Sequence, residues 1–244
     1  KIEITKKILG GEYFYGLGEK TGFLNKRGYR YQMWNTDDPS THDESFKTLY
    51  KSIPFLITLR QNKAYGLFFD NSFKSYFDLA KENDDYFYYG VEDGNLNYYF
   101  IYGPKIKEVV SRYTYLTGTT PLPQLWTLGY QQSRHSYDSE QRVREIAKKF
   151  REKNIPCDTI HLDIEYMDGY RVFTWDRDRF SNPEKLISDL EEKGFKVVTI
   201  IDPGVKKDKD YNIYQEGLQN NYFITDQDGI TYVNKVWPGQ SVFP

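Results

Sequence analysis

Three short stretches gather the side chains that could do chemistry, and each directly follows a run that reads as a β-strand. Ser133, Arg134, His135 and Tyr137 follow the first; Asp163, Glu165, Tyr166, Met167 and Asp168 the second; Asp202, Pro203 and Gly204 the third. Carboxylates set among aromatic rings suit sugar chemistry, because an acid holds two hydroxyls at once while a ring covers the apolar face of a pyranose. Glycoside cleavage itself uses a pair of carboxylates, one as acid and one as base or nucleophile. A structural reading stands beside this one. An aspartate at a strand tip also serves as a helix cap or turn former, which applies to Asp163 and to the turn Asp202-Pro203-Gly204. His161 reads as a structural histidine inside its strand, Trp237 before Pro238-Gly239 as a packed corner residue, and Cys157 as buried and inert. No strand is followed by a G-x-G-x-x-G or P-loop pattern and no G-x-S-x-G elbow occurs, which removes support for dinucleotide, P-loop and α/β-hydrolase readings.

The elements that must position these residues follow two grammars. From Glu12 to about Asn97, short aromatic and β-branched runs alternate with turns, giving strands over Tyr13–Tyr15, Ile53–Arg60, Ala64–Asp70, Ser75–Leu79, Tyr86–Gly90 and Leu96–Tyr102. This half reads as a β-sandwich. Between Phe23 and Ser52 the periodicity fades and a long loop is expected, carrying Trp34, Asn35, Asp37 and Asp38. A helix after Gly103-Pro104 would turn Ile106, Val109, Val110 and Tyr113 to one face, and the Pro-rich break at Thr117 to Pro123 marks a domain boundary, 1–118 against 119–244.

Beyond it strand and helix alternate. The strands are Trp126–Gln132, Thr159–Ile164 and a fully buried Lys196–Asp202. The helices run from Ser139 to Lys153, with an Asp138/Gln141 capping box and a Val143, Ile146, Ala147, Phe150 stripe, then from Asn182-Pro183 to Gly194, then over Tyr211–Leu218. A hairpin around Asp228-Gly229 is expected over Phe223–Val236. Such alternation means βαβ units and a parallel sheet, either a small doubly wound domain or the first three βα units of an incomplete (β/α)8 TIM barrel. A closed barrel needs about 250 residues and only about half that number follow the boundary, so a barrel here would be cut partway; it is favoured because the chain also opens without methionine.

Composition bounds the partners. The 244 residues carry a net charge of −2 with no long run of either sign, so neither nucleic acid nor an anionic membrane is an expected partner. No apolar stretch approaches the roughly 20 residues of a bilayer span. One cysteine precludes an internal disulfide, and three scattered histidines show no zinc-ligand spacing, which excludes a classical zinc site; no metal and no organic cofactor are expected. A lone cysteine without a visible leader points to the cytoplasm, although the chain opens at Lys1 and reads as an excised piece. Aromatic residues make up 18%, which fits β-sheet cores as well as sugar-stacking surfaces.

Several motifs, in order, resemble glycoside hydrolase family 31, the α-glucosidase family. The run Leu122 to Arg134 (LPQLWTLGYQQSR) is similar to its domain entry and first barrel strand, and His161 to Asp168 (HLDIEYMD) to its second-strand motif. Ile201 to Val205 (IDPGV) and Lys235 to Gly239 (KVWPG) resemble its third-strand and following-loop motifs. Tyr15 to Glu19 (YGLGE) and Trp34 to Asp37 (WNTD) resemble its N-terminal galactose-mutarotase-like sandwich and the loop that sandwich sends to the active site.

The resemblance implies a retaining α-glucosidase acting on terminal α-linked glucose of an oligosaccharide or α-glucoside. Asp163 matches the acid that binds hydroxyls of the sugar being cleaved, with Ile164 lining the same pocket. Asp37 matches the acid supplied by the sandwich loop, Trp237 a ring at the pocket base, and Val205 a small apolar lining position. His135 stands where the family places an aromatic. Asp-Ile-Glu-Tyr-Met is closer to the α-glucosidase than to the α-xylosidase members. The family's nucleophile motif, of the Trp-x-Asp-Met-Asn-Glu type, occurs nowhere between Lys1 and Pro244. The chain is therefore expected to carry part of the substrate pocket, neither catalytic carboxylate, and no activity alone. A non-catalytic carbohydrate-binding module is the alternative.

Overall fold

The computed structural model describes residues 1–38 and 40–244. It divides into two compact units, Lys1–Thr120 and Pro121–Pro244.

The first unit contains strands β1 (Ile2–Lys7), β2 (Tyr13–Gly18), β3 (Tyr29–Met33), β4 (Ser52–Arg60), β5 (Lys63–Phe69), β6 (Ser75–Leu79), β7 (Tyr86–Val91) and β8 (Tyr98–Tyr102), then helix α1 (Ile106–Thr117). They form two antiparallel sheets, ordered β1-β7-β6-β3 and β2-β4-β5-β8. Phe14, Leu17, Leu56 and Phe69 from one sheet meet Tyr31, Phe77, Phe87 and Tyr89 from the other in a common core, with Phe69 stacked on Tyr89 at 3.9 Å between ring centroids. The second sheet is apolar on both faces. Its outer side packs Phe55, Ile57 and Ile101 against Val109 of α1, and Tyr113 stacks on Phe55 at 3.9 Å. That double burial explains why β4 reads as a continuous apolar run.

Two strands lie outside the sequence expectation. β1 is marked by the half-buried alternation Ile2, Ile4, Lys6 and pairs with β7 from Ile2↔Val91 to Lys7↔Tyr86. β3 lies inside the stretch expected as a loop. It is held by its pairing with β6, Tyr31 opposite Phe77, and by the Arg30 guanidinium donating to Asp78 at 2.8 Å, neither of which local periodicity reports. On α1 only Val109 is fully buried, whereas Ile106 and Val110 are exposed, because the helix lies on the sheet through a narrower stripe than four apolar residues suggest.

Lys26 is buried among backbone oxygens, donating to Lys20 O at 3.3 Å and Thr21 O at 3.0 Å over the ring of Tyr31. Desolvation, helped by Lys26 and opposed by Glu19, lowers the pKa of Lys20 to about 8. Between about pH 8 and 10.5 the unfolded chain holds this proton and the folded chain does not, so Lys20 makes stability rise with pH there. Above pH 10, Tyr76, pushed up to about 12 by burial and Glu3, acts in the opposite sense. Denaturant midpoints at about pH 7.5 and 9.5 are expected to show this rise in the native protein and a flattened one in Lys20→Met. Equal slopes in the two proteins would contradict it.

The second unit contains β9 (Gln131–Gln132), α2 (Glu140–Glu152), β10 (Thr159–Leu162), α3 (Pro183–Glu192), β11 (Lys196–Thr199), β12 (Val205–Lys206), α4 (Asn212–Gln219), β13 (Val233–Val236) and β14 (Gly239–Val242). β9, β10 and β11 form a parallel sheet with β10 in the middle, and α2 and α3 pack side by side. Val143 and Ala147 of α2, Leu186 and Leu190 of α3, and Ile160 and Leu162 of β10 share one core. No described helix is long and apolar enough to cross a membrane.

Here the structure corrects five expectations. Most of Trp126–Gln132 is not strand. Leu125–Leu128 is a 3-10 turn closed by Thr127 N to Gln124 O at 3.0 Å, and only Gln131 and Gln132 have ladder partners on β10. The second strand ends at Leu162, before Asp163 turns the backbone. Ser139, rather than Asp138, caps α2 by accepting from Arg142 N. The third strand is half-exposed and ends at Thr199, with Ile200 and Ile201 exposed. The turn at Asp226–Gly229 closes only one bridge, Thr225 to Thr231, and the regular ladder is β13 with β14, joined by Trp237-Pro238.

The cap of α3 follows the sequence. Asn182 accepts from Lys185 N at 2.9 Å and Pro183 occupies the first turn. Asn182→Ala is expected to cost about 1 kcal/mol, read as a lower denaturant midpoint with unchanged slope.

Candidate functional site

The carboxyl end of β10 positions the central acid. Asp163 is the first residue after the strand, half-buried, and its Oδ1 accepts from Ile164 N at 2.8 Å. That bond opens a 3-10 turn over Ile164–Tyr166 and fixes the carboxylate direction while leaving Oδ2 free of described partners. Ile164 is buried beside it. The turn is tied down by Tyr166, whose buried ring lies 4.7 Å from that of Trp175 and whose hydroxyl donates to Ile200 O at 2.8 Å. Burial pushes the Tyr166 phenol up, so it stays a neutral donor. Further along, Arg171 donates to Asp208 at 3.0 Å, and the Tyr211 hydroxyl donates to Val172 O. The Asp210 N–H and Arg171 together hold the Asp208 carboxyl below the usual range, so this clamp persists into mild acid.

After β9, Tyr137 is buried and its hydroxyl accepts from Gln132 Nε2 at 2.8 Å, which anchors the loop that leaves His135 exposed. His135, Asp163 and Glu165 come together there, each offering a ligand atom within 4.8 Å of the others. All three follow strand candidates in the sequence, and the family resemblance singles out His135 and Asp163 among them. The available signal for Glu165 was its spacing of two from Asp163 across a tight turn. Their convergence with His135 depends on β9 lying beside β10, which spacing along the chain does not encode.

The other selected residues are spread more widely. Val205 is buried at the start of β12, paired with Val242. Asp202 is half-buried. Trp237 is 74% exposed at the β13–β14 turn, so the packed-corner reading is corrected: the ring projects from the turn rather than into the core. Asp37 belongs to the first unit and is exposed. Its loop is braced by Thr36 N to Leu49 O at 3.0 Å, by the Tyr50 hydroxyl on Asp38 O at 3.3 Å, and by His42 on the same oxygen at 2.8 Å. His161 has its structural partner, Gln131 Oε1 at 2.8 Å, and Cys157 is buried with its thiol pushed up by desolvation.

Comparisons with known proteins agree over both units. Residues 120–244 match the glycosyl hydrolases family 31 TIM-barrel domain, and residues 1–78 match the glycosyl hydrolase 31 N-terminal galactose mutarotase-like domain. The chain is 53% identical over 233 residues to alpha-glucosidase 2 of Bacillus thermoamyloliquefaciens, covering 96% of this chain and 30% of that protein. It is 35% identical to an alpha-glucosidase of Saccharolobus solfataricus, covering 100% and 35%. Among solved structures, a mutant of the family 31 dextranase of Flavobacterium johnsoniae, complexed with isomaltotriose, superimposes with a TM-score of 0.91 at 36% identity, covering 99% of this chain and 29% of that one. The chain thus spans about a third of the length of these relatives. With a family model covering the whole strand-and-helix unit and a second covering much of the sandwich, the chain belongs to glycosyl hydrolase family 31.

Proposed function

We propose that the complete protein is a retaining α-glucosidase that removes terminal α-linked glucose from oligosaccharides. In this reading residues 1–118 are the mutarotase-like sandwich and residues 119–244 the first three βα units of the catalytic barrel. Asp163 accepts hydrogen bonds from hydroxyls of the bound glucose, and Ile164 and Val205 line the pocket. His135 and Trp237 present rings to the sugar, and Asp37 is assigned to sugar binding as well. The observation that carries the reading is Asp163. Its carboxylate stands at the carboxyl end of a parallel strand, aimed by Ile164 N at 2.8 Å, with its second oxygen free for a ligand. The names of the relatives, alpha-glucosidases among them, support the same chemistry.

The reaction needs two carboxylates, one attacking the anomeric carbon and one protonating the glycosidic oxygen. We infer that neither lies within residues 1–244, which supply orientation without proton transfer or a covalent step. The complete protein is expected to hydrolyse a chromogenic α-glucoside and to release α-glucose first, seen by proton NMR before mutarotation. Initial release of β-glucose would refute retention. Residues 1–244 expressed alone are expected to show no turnover above background, and measurable hydrolysis by a preparation free of host glucosidase would refute the assignment of both carboxylates elsewhere.

A further inference from the structure

The convergence of His135, Asp163 and Glu165 asks for a ligand beyond sugar. Their three ligand atoms lie within 4.8 Å of one another. Glu165 is half-buried, and its covered Oε2 accepts no hydrogen bond from the described residues. A buried carboxylate oxygen without a partner is costly, which makes it an unusual feature to leave unused. Among the described residues, Asp163 has only Oδ1 engaged. Two carboxylates and one imidazole nitrogen form a donor set whose negative charge a dication offsets.

We propose that His135, Asp163 and Glu165 form a binding site for a divalent transition-metal ion of the zinc class. One imidazole nitrogen with two carboxylate oxygens is a donor set that zinc accepts, and the imidazole disfavours calcium and magnesium, which select all-oxygen sets. Around a tetrahedral zinc with bonds of about 2.0–2.2 Å, donor atoms lie about 3.4 Å apart. Side-chain rotations that shorten the widest separation by about 1.4 Å reach that spacing, and His135 is exposed. The fourth position stays open to water. An ion held there engages Asp163, so it competes with sugar; this consequence, unlike the site itself, rests on the sugar-binding role proposed above.

Zinc titrated calorimetrically into the metal-stripped complete protein tests the site. The expected result is one ion per chain, a raised thermal midpoint, and an apparent KM for an α-glucoside that rises with zinc. Glu165→Gln is expected to weaken zinc binding at least about 10-fold. His135→Ala, at an exposed position, is expected to weaken zinc binding similarly. The absence of saturable binding up to about 1 mM zinc, or native affinity in both variants, overturns the proposal. Asp163→Asn separates the two readings: lost zinc affinity with normal turnover refutes the sugar role alone, and lost turnover with native zinc affinity refutes the metal site alone.

Discussion

Replacing Asp163 with alanine in the complete protein is expected to lower kcat/KM toward an α-glucoside by about 10² to 10⁴-fold. A carboxylate that accepts hydrogen bonds from two sugar hydroxyls in a dehydrated pocket contributes roughly 1.5–3 kcal/mol through each. Losing both raises the barrier by about 3–6 kcal/mol, the stated range. The same residue also caps a 3-10 turn through Ile164 N, so a purely structural role makes its own prediction. That role costs about 1 kcal/mol of stability and leaves turnover nearly intact. Thermal midpoint and kcat/KM measured on the one variant distinguish the two. A destabilised protein with native kinetics would remove Asp163 from the sugar site.

Gly16→Ala is expected to be the most damaging small substitution in the sandwich, at about 3 kcal/mol or more and about 10 °C in thermal midpoint. Gly16 has φ of +108°, where a side chain is strained, and a Cβ there would overlap the Phe55 carbonyl oxygen on β4. The neighbouring register shift between Gly16 and Gly18 is a bulge, and Leu17 within it is fully buried. Relieving the overlap separates β2 from β4 and withdraws Leu17 from the core. Gly10→Ala is the control, since its φ is not positive and no atom lies within 4 Å of the added carbon. Thermal unfolding followed by circular dichroism checks both variants. A midpoint for Gly16→Ala within about 2 °C of native would show that the bulge relaxes freely.

Elements whose signal is local were legible from residue order. Ser75–Leu79 is recovered to the residue, and Asn182-Pro183 marks the start of α3, because capping and turn chemistry act within a few residues of the chain. The sequence breaks at a cluster of prolines and threonines, Thr117 to Pro123, where both periodicities stop. Motifs such as HLDIEYMD and IDPGV pointed to strand ends and to a family that the comparisons bear out.

What required the tertiary structure was whatever depends on a distant partner. β3 exists because β6 pairs with it and Asp78 receives Arg30, although its own residues resemble a loop. Gln131 and Gln132 become strand only through Thr159 and Ile160, while the apolar residues before them coil into a 3-10 turn. The exposure of Trp237 follows from a two-stranded ladder whose turn carries the ring outward. His135 and Glu165 stand 30 positions apart, and no periodicity links them. They meet at Asp163 because parallel pairing brings the ends of β9 and β10 together, and such pairing is decided by packing across the whole sheet rather than by the residues on either strand.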